Sequence, residues 1–266
     1  MAKIAIIIYS LYHHVATLAE SVKAGIESAG HEATIYQVPE TLPEETLTIL
    51  HAPPKKDYPI ATTEILTSAD GVIFGVPTRF GSMPSQIKSF IDATGGAWAS
   101  GALYHKPVGV FVSTGSGGGR ETTVFSLLST FAHHGMQYVP LGYAKAFGEL
   151  TNLDELQGAS PWGAGTVAAS DGSRQPTEND LKIAKIQGVE FATFVGNEKN
   201  VKAQEEPVKE QSTTEQSVKE QSKATAKPAT KAQAKAPAAQ SKTTTTAEKK
   251  RNPVSRFFSK LGKLFD

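Results

Sequence analysis

Three short segments of the chain combine residue types suited to binding an anion and a flat ring. Residues 10–15 (SLYHHV) offer a hydroxyl and two imidazoles, and residues 77–84 (PTRFGSMP) hold an arginine and a phenylalanine between stiffening prolines. Residues 113–119 (STGSGGG) have four glycines in five positions, so their backbone can approach a ligand closely. We name these segments loop one, loop two and loop three. They predict a binding site assembled from three distant parts of the chain.

Loop one is predicted to open a helix, where free N–H groups and the helix dipole favour a phosphate. It contains neither the Walker A pattern nor GxGxxG, so a nucleoside triphosphate or a dinucleotide is disfavoured there. Arg79 and Phe80 of loop two suit a planar ligand, and the amides of loop three could bind ring carbonyls. Together the loops predict bound FMN, with its phosphate on loop one. The alternative for loop one is an ordinary strand–helix turn with Ser10 as N-cap.

Weaker candidates lie elsewhere in the chain. Trp98 follows two glycines, but a lone tryptophan is more often a core residue. His133 and His134 end a predicted helix, where the dipole favours positive charge. Adjacent helical residues face different directions and no third ligand is evident, so we expect no metal site. Residues 172–174 (GSR) are predicted to form either a turn or an edge of the site.

The hydrophobic pattern predicts the elements that must position these loops. Apolar runs without alternation indicate strands buried on both faces, and helical spacing marks segments between them. The predicted strands are residues 3–9, 32–38, 71–76, 108–113 and 136–140. The predicted helices are residues 15–29, 85–93, 120–134 and 177–195, the last with Thr177 as N-cap and Asp180 at N3.

This alternation of strands and helices predicts an α/β fold with a doubly wound, five-stranded parallel sheet and helices on both faces. The expected strand order is the flavodoxin-like 2-1-3-4-5. Ligands bind such sheets beyond the carboxyl ends of the strands, where the strand order reverses. Loops one, two and three follow the first, third and fourth strands, so we expect them to meet at that edge.

Composition divides the chain into three parts. Residues 1–198 mix aliphatic runs with glycines and are predicted to form the FMN-binding domain, whereas residues 199–251 lack aromatic residues, Leu, Ile and Met and are predicted to be a disordered linker. The first 198 residues carry 12 basic and 19 acidic side chains, a net charge of −7, and the remainder carries 15 and 7, a net charge of +8. A basic tail suggests an anionic partner. The acidic body and the lack of a recognition motif argue against nucleic acid.

Residues 252–266 are predicted to form a basic amphipathic helix, with Asn252 and Pro253 as its N-cap and first residue. Its apolar stripe consists of Val254, Phe257, Phe258, Leu261, Leu264 and Phe265. Such a helix is typical of a contact with anionic lipid, and docking on another protein is the alternative. The chain has no cysteine to carry a lipid or a reactive thiolate, and no apolar run of membrane-spanning length. We therefore expect a cytoplasmic protein, peripheral on the cytosolic face of the plasma membrane.

Several longer strings resemble the WrbA-type NAD(P)H:quinone oxidoreductases, and in particular their fungal flavodoxin-like branch. They are PTRFG (77–81), ASGALY (99–104), STGSGGG (113–119), LSTFAHHGM (128–136), SPWGAG (160–165) and DGSRQP (171–176). The resemblance covers residues 1 to about 196 and does not include the tail. It implies FMN as cofactor, NADH or NADPH as electron donor, a quinone as substrate, and a homotetramer or homodimer.

The same resemblance implies roles for individual residues. Those that would hold the phosphate are Ser10, Leu11, Tyr12, His13, His14 and Val15. Those that would contact the ring and ribityl chain are Thr78, Arg79 and Phe80. Those that would wrap the ring edge are Ser113, Thr114, Gly115, Ser116, Gly117 and Gly118, with His133 closing the site. Tyr12 would also touch the nicotinamide nucleotide, and Trp98 would line the quinone pocket. The family's tetramer places such pocket walls across subunits.

Loop one departs from the family pattern at one position. The family has Tyr-Gly-His where this chain has Tyr12, His13 and His14. Glycine allows a positive φ or a close backbone approach, and histidine adopts the left-handed conformation at modest cost. Two consequences are open: the ring of His13 crowds the phosphate and weakens FMN binding, or a protonated ring attracts it.

Loops and resemblance together predict an FMN-dependent NAD(P)H:quinone oxidoreductase. It would reduce quinones to hydroquinones by two electrons, in protection against oxidative stress. No obligatory acid–base pair is evident, although His133 could donate a proton or orient the quinone. The alternative is a membrane-anchored, non-catalytic flavodoxin-like scaffold or interaction protein, which His13 and the long tail keep open.

Overall fold

A computed structural model of the chain describes residues 1–205. The predicted helix at 252–266 and the predicted linker beyond residue 205 lie outside the described residues. Within residues 1–205 the strands are β1 Lys3–Ile8, β2 Glu32–Gln37, β3 Gly71–Pro77, β4 Pro107–Thr114, β5 Gln137–Tyr138 and β6 Gly165–Val167. The helices are α1 His14–Ser28, α2 Glu44–Ile49, α3 Thr63–Ser68, α4 Ser85–Asp92, α5 Gly95–Ser100, α6 Arg120–His134, α7 Phe147–Leu150 and α8 Glu178–Glu205.

The sheet is parallel throughout and has the order β2-β1-β3-β4-β5, which confirms the predicted order. A sixth strand was not predicted: β6 pairs with the last three residues of β4, from Val112↔Gly165 to Thr114↔Val167. β5 pairs only with the start of β4, at Pro107 and Val108. The outer edge of β4 is therefore covered by two short strands, with β6 at the end that leads into loop three.

The alternating side chains of β1 explain why helices cover both faces of the sheet. Ile4, Ile6 and Ile8 point to one face, in a core shared with α1 and α8. Ala5 and Ile7 point to the other, in a core shared with α3, α4 and α6. Each fully buried isoleucine contributes roughly 1.5–3 kcal/mol, so the two layers together fix the strand ends that carry the loops.

Helices α1 and α8 pack with their backbones in direct contact. A Cβ added at Gly25 would lie 2.2 Å from the carbonyl oxygen of Lys185, and one at Gly188 would lie 2.2 Å from that of Val22. This pair of glycines is what allows the last helix to cover the first. Helix α1 begins within loop one, at His14, so the packing of α8 on α1 also supports that loop.

Helix α8 begins with the predicted cap. The amide of Asp180 donates to Oγ1 of Thr177 at 3.2 Å, and the amide of Thr177 donates to Oδ2 of Asp180 at 3.2 Å. The helix ends at Glu205, beyond both the predicted helix end at 195 and the domain boundary set at 198. None of the helices within residues 1–205 is long and apolar enough to cross a membrane.

Four short helices were not predicted, namely α2, α3, α5 and α7. The sequence of α5, GGAWAS, has two glycines and low intrinsic helix propensity, so its residues alone do not predict a helix. Tertiary contact stabilises it instead, because Nε1 of Trp98 donates to the carbonyl oxygen of His133 at 3.0 Å.

Candidate functional site

The carboxyl ends of β1, β3 and β4 open into a cleft of about 510 Å³. This volume is in the usual range for small-molecule sites. Loops one, two and three meet there, as the strand order predicts. The predicted site residues that line the cleft are Ser10, Leu11, Tyr12, His14, Val15, Thr78, Arg79, Ser113, Thr114 and Gly115.

The remaining predicted residues lie outside the cleft of this chain. They are His13, Phe80, Trp98, Ser116, Gly117, Gly118 and His133. Phe80 is 96% exposed at a positive φ of 52°, and Trp98 is 60% exposed. His133 stands at the end of α6 farthest from loop three, about 20 Å along the helix axis. One copy of the chain therefore does not bring these aromatic and imidazole groups to its own cleft.

Loop one turns sharply into α1. Oγ of Ser10 accepts a hydrogen bond from the amide of Ala16 at 3.2 Å, so one of the free N-terminal amides of the helix is satisfied. The N-cap position itself is His13, in the left-handed conformation with φ 69°. Ser10 thus supports the helix start without being its N-cap, and its hydroxyl hydrogen remains available to donate into the cleft.

The two imidazoles of loop one point to different neighbours. Nε2 of His13 donates to the carbonyl oxygen of Pro54 at 3.0 Å, and the ring does not line the cleft. His14 is buried, and its Nε2 donates to the carbonyl oxygen of Arg174 at 3.1 Å. His14 therefore joins loop one to Arg174, which lies behind a fourth wall of the cleft formed by residues 168–172.

Loops two and three are fastened to each other. The amide of Thr78 donates to the carbonyl oxygen of Ser113 at 2.8 Å, and Oγ1 of Thr78 donates to that of Gly119 at 3.1 Å. Gly81 and Gly119 have φ of +75° and +81°, and a Cβ on Gly119 would lie 2.9 Å from Cα of Gly81. Glycine at both places lets the two loops touch, which fixes the gap between them.

Loop three is ordered by its own first threonine. Oγ1 of Thr114 accepts from the amide of Gly117 at 2.9 Å, and the carbonyl oxygen of Thr114 accepts from the amide of Ala168 at 2.7 Å. Both Ser113 and Thr114 are buried. Gly115 stands on the cleft, and its lack of a side chain leaves backbone exposed to a ligand there.

The fourth wall, residues 168–172, was only partly expected from the sequence. Of residues 172–174, Gly172 lines the cleft and Ser173 and Arg174 do not. Behind this wall, Nη1 of Arg174 donates to the carbonyl oxygen of Val167 at 2.6 Å and lies 3.4 Å from Oδ2 of Asp180, which is 1% exposed. Nη2 of Arg174 donates to the carbonyl oxygen of Leu156 at 3.2 Å. The arginine holds the wall in place from the rear.

A carboxylate network on the β2 side was not predicted at all. Glu40 accepts from the hydroxyl of Tyr9 at 3.1 Å, from Nζ of Lys55 at 2.8 Å and from Nε2 of Gln86 at 2.8 Å. Burial alone would raise the pKa of Glu40, but the hydrogen bonds from Lys55, the amide of Leu42 and Gln86 lower it to about 2. Burial, with Glu40 beside it, raises the pKa of Tyr9. Glu40 is thus a fixed negative charge beside the cleft.

The cleft also carries one guanidinium and one carboxylate of its own. Arg79 lines it, with its Cζ 5.3 Å from the centre of the Phe80 ring. Asp171 lines it too, and hydrogen bonds from the amide and hydroxyl of Ser173 lower its pKa. Among the residues described, no group of three or more His, Asp or Glu is arranged to hold a metal ion.

The donors on these walls fit flavin mononucleotide. The start of α1 and the hydroxyl of Ser10 offer N–H and O–H donors to a dianion. Loop three offers exposed backbone to the polar edge of a ring. Leu11, Pro77 and Pro84 supply apolar surface for its flat faces.

Comparison with known proteins agrees with this geometry. A family model described as NADPH-dependent FMN reductase matches residues 2–148. The NAD(P)H quinone oxidoreductase PST3 of Candida albicans is 62% identical over 190 residues, which cover 71% of this chain and 96% of that protein. The quinone-oxidoreductase QR2 of Triphysaria versicolor is 50% identical over 193 residues, which cover 71% of this chain and 93% of that protein.

Among solved structures, a WrbA-like flavodoxin of Agrobacterium tumefaciens superposes with a TM-score of 0.51 and 22% identity, over 74% of this chain and 99% of that one. This likeness shows the shared fold. The sequence matches go further, because the family model spans more than half of the chain and the relatives are covered almost completely. The chain therefore belongs to the NADPH-dependent FMN reductase family, in the branch of the fungal flavodoxin-like quinone oxidoreductases.

Proposed function

We propose that this protein is an FMN-dependent NAD(P)H:quinone oxidoreductase that reduces quinones to hydroquinones by two electrons. One observation carries the proposal: residues of all three predicted loops line a single cleft at the carboxyl ends of β1, β3 and β4. The names of the relatives point to the same reaction. When bound, FMN supplies the transfer of hydride from a nicotinamide nucleotide and of two electrons to a quinone.

The residues of this chain bind and orient the reactants in that reaction. Ser10 and the start of α1 hold the phosphate, and Gly115 with its neighbours in loop three lies along the ring edge. Thr78 keeps loops two and three at a fixed separation through its bonds to Ser113 and Gly119. Tyr12 stands half-exposed at the rim, and its hydroxyl is fixed by the carbonyl oxygen of Leu50 at 2.9 Å. In the proposed reaction the ring of Tyr12 contacts the incoming nicotinamide nucleotide.

Several aromatic side chains that lie outside the cleft of one chain are exposed, and this exposure supports self-association. Phe80, Trp98 and Tyr104 are 96%, 60% and 67% exposed, which is unusual for aromatic side chains of one small domain. We propose a homotetramer or homodimer in which Phe80, Trp98 and His133 of one subunit complete the cleft of another. In that arrangement His133 can donate a proton to the quinone or orient it.

The tail gives the proposed location. We propose that residues 252–266 hold the protein peripherally on the cytosolic face of the plasma membrane. This rests on the apolar stripe and basic residues of the sequence alone. Removal of residues 252–266 should abolish sedimentation with vesicles containing phosphatidylserine. Equal sedimentation of the shortened and full chains would contradict it.

A role in protection against oxidative stress follows if the enzyme keeps quinones fully reduced.

The decisive experiment adds NADH and then benzoquinone to the FMN-loaded full chain in one cuvette. We expect the flavin absorbance to bleach with NADH and to return with quinone, with NADPH tested in parallel to establish the donor. Gly115→Trp should abolish FMN binding by filling the cleft, whereas Gly148→Trp, in open space on α7, is the matched control. FMN binding without NAD(P)H oxidation by any quinone would favour the non-catalytic scaffold.

Sedimentation velocity tests the assembly. Phe80→Asp and Trp98→Asp should each weaken the oligomer and lower quinone turnover while FMN still binds. A monomeric wild-type protein with full turnover would contradict shared clefts.

A further inference from the structure

Three residues of loop one each contact one irregular segment, residues 50–55 (LHAPPK), which we name the strap. The hydroxyl of Tyr12 donates to the carbonyl oxygen of Leu50 at 2.9 Å, and Nε2 of His13 donates to that of Pro54 at 3.0 Å. In the opposite direction, Nζ of Lys55 donates to the carbonyl oxygen of Ser10 at 3.3 Å. Loop one and the strap therefore hold each other through three hydrogen bonds.

The start of the strap is hydrogen-bonded to α2 through the amides of Leu50, His51 and Ala52, whereas its second half is held by the contacts with loop one. It follows the end of α2, and its two prolines have no N–H to donate. Leu50 nevertheless lines the cleft, and Lys55 is paired with Glu40 at 2.8 Å. Movement of the strap would therefore change both the rim of the cleft and the support of loop one.

His13 accepts an unfavourable backbone conformation to make its contact. Its φ of 69° is left-handed, which disfavours any residue with a Cβ. Its carbonyl oxygen accepts from the amide of Thr17 at 2.8 Å and from Oγ1 of Thr17 at 3.0 Å, so the turn is held on the helix side as well. A glycine would adopt this φ without strain, but it would have no ring to reach Pro54.

We propose that His13 is a positioning residue: its ring ties the strap to loop one and so keeps the amides of loop one ordered for the FMN phosphate. Because these amides are already ordered before FMN binds, less conformational entropy is lost on binding and the affinity for FMN is higher. The inference rests on the proposed placement of the phosphate at loop one. It explains why histidine stands at a position where glycine would fit the backbone better.

Hydrogen exchange of the FMN-free full chain tests whether the bond from His13 to Pro54 stabilises the strap, independently of the cofactor. In His13→Gly we expect the amides of His51 and Ala52, which donate to the carbonyl oxygens of Thr48 and Leu47, to exchange about three to ten times faster, because loss of one hydrogen bond makes local opening of the strap easier. His13→Gln places an amide donor in a similar position and should restore much of the protection. His105→Gly is the matched control, because His105 also has a positive φ, of 57°, at the opposite end of β4 from the cleft.

Binding of FMN and of riboflavin separates the cofactor effect from the proposed phosphate placement. His13→Gly should raise the Kd of FMN about three- to tenfold and leave the Kd of riboflavin, which has no phosphate, unchanged. If the wild-type protein bound riboflavin as tightly as FMN, the phosphate placement itself would be wrong. If the wild-type protein preferred FMN but His13→Gly changed neither exchange nor the Kd of FMN, the positioning role would be wrong. Faster exchange with an unchanged Kd of FMN would also overturn it.

Discussion

The hydroxyl of Tyr9 donates a hydrogen bond to the carboxylate of Glu40, 3.1 Å from Oε2. Tyr9 directly follows β1 and Glu40 lies three residues after β2, so the bond joins the carboxyl ends of two neighbouring strands. Lys55 and Gln86 bond the same carboxylate from two further parts of the chain. One ionised side chain thereby ties together the β2 side of the cleft.

Replacement of Glu40 should change how stability depends on pH. The folded-state pKa of about 2 lies below the ordinary 4.5, so the carboxylate contributes its full stability above pH 4.5 and loses it as the pH falls towards 2. Wild-type protein should lose about 2–3 kcal/mol more than Glu40→Gln over that range. Urea unfolding at a series of pH values measures this. Glu45→Gln, at an exposed position on α2, is the control. Parallel stability curves for wild type and Glu40→Gln would contradict the network.

Removal of Arg174 should leave the buried carboxylate of Asp180 without its ion-pair partner, although Thr166 and Thr177 still donate hydrogen bonds to it. Asp180 is 1% exposed and its ion-pair partner is Arg174, so Arg174→Met should destabilise the FMN-free protein by about 3 kcal/mol. Asp180→Asn in the same chain should recover part of the loss. Lys182→Met breaks the exposed pair with Glu149 and should cost under about 1 kcal/mol. Guanidinium unfolding tests both. Equal losses for the two single variants would show that burial of the Asp180 charge is not the cause.

An added methyl group between the first and last helices should force them apart. In Gly188→Ala the new Cβ would lie 2.2 Å from the carbonyl oxygen of Val22, so we expect a loss of about 3 kcal/mol and a Tm lower by roughly 6–12 °C. Gly148→Ala, with no atom within 4 Å, should be neutral or stabilising by about 0.5–1 kcal/mol. Calorimetry compares the two. An unchanged Tm for Gly188→Ala would mean that the helices are not in backbone contact.

Ser10→Ala should weaken the binding of FMN more than it lowers the stability of the protein. The change removes a hydroxyl donor from the cleft and leaves the amide of Ala16 without its acceptor. We expect the Kd of FMN to rise about tenfold, measured by quenching of flavin fluorescence. Ser28→Ala removes a similar hydroxyl, bonded to the carbonyl oxygen of Gly25, from the far end of α1 and should leave the Kd unchanged. The phosphate would have to lie elsewhere if both variants bound FMN like the wild type.

The sheet could be predicted from sequence because its strands are continuous apolar runs. β3 and β4 are buried at nearly every position, so their sequences are continuous apolar runs that indicate strands inside a parallel sheet. β6 has only three residues and carries no periodic signal. It forms because it pairs with the end of β4, a contact between residues more than fifty positions apart. Short elements of this kind are determined by tertiary contact and not by local pattern.

The site could be predicted where it follows the ends of strands and not where it depends on distant side chains. Ten residues of the three loops were placed on the cleft from strand order and resemblance together. Glu40 and Lys55 were missed, because nothing near either residue in the sequence signals that Glu40 bonds Tyr9 and that Lys55 bonds both Glu40 and Ser10. Phe80, Trp98 and His133 came from resemblance alone, and a single chain does not bring them to its cleft. Their roles remain predictions about an assembly.

The packing of α8 on α1 also sets the order in which the domain can be completed during synthesis. Helix α1 is synthesised first among the helices within residues 1–205, but α8, which covers its apolar face, is synthesised last. Gly188 can contact Val22 only after α8 has been made. Until then loop one leads into a helix whose apolar face is only partly covered. Synthesis of α8 is therefore the step that completes the packing on which loop one rests.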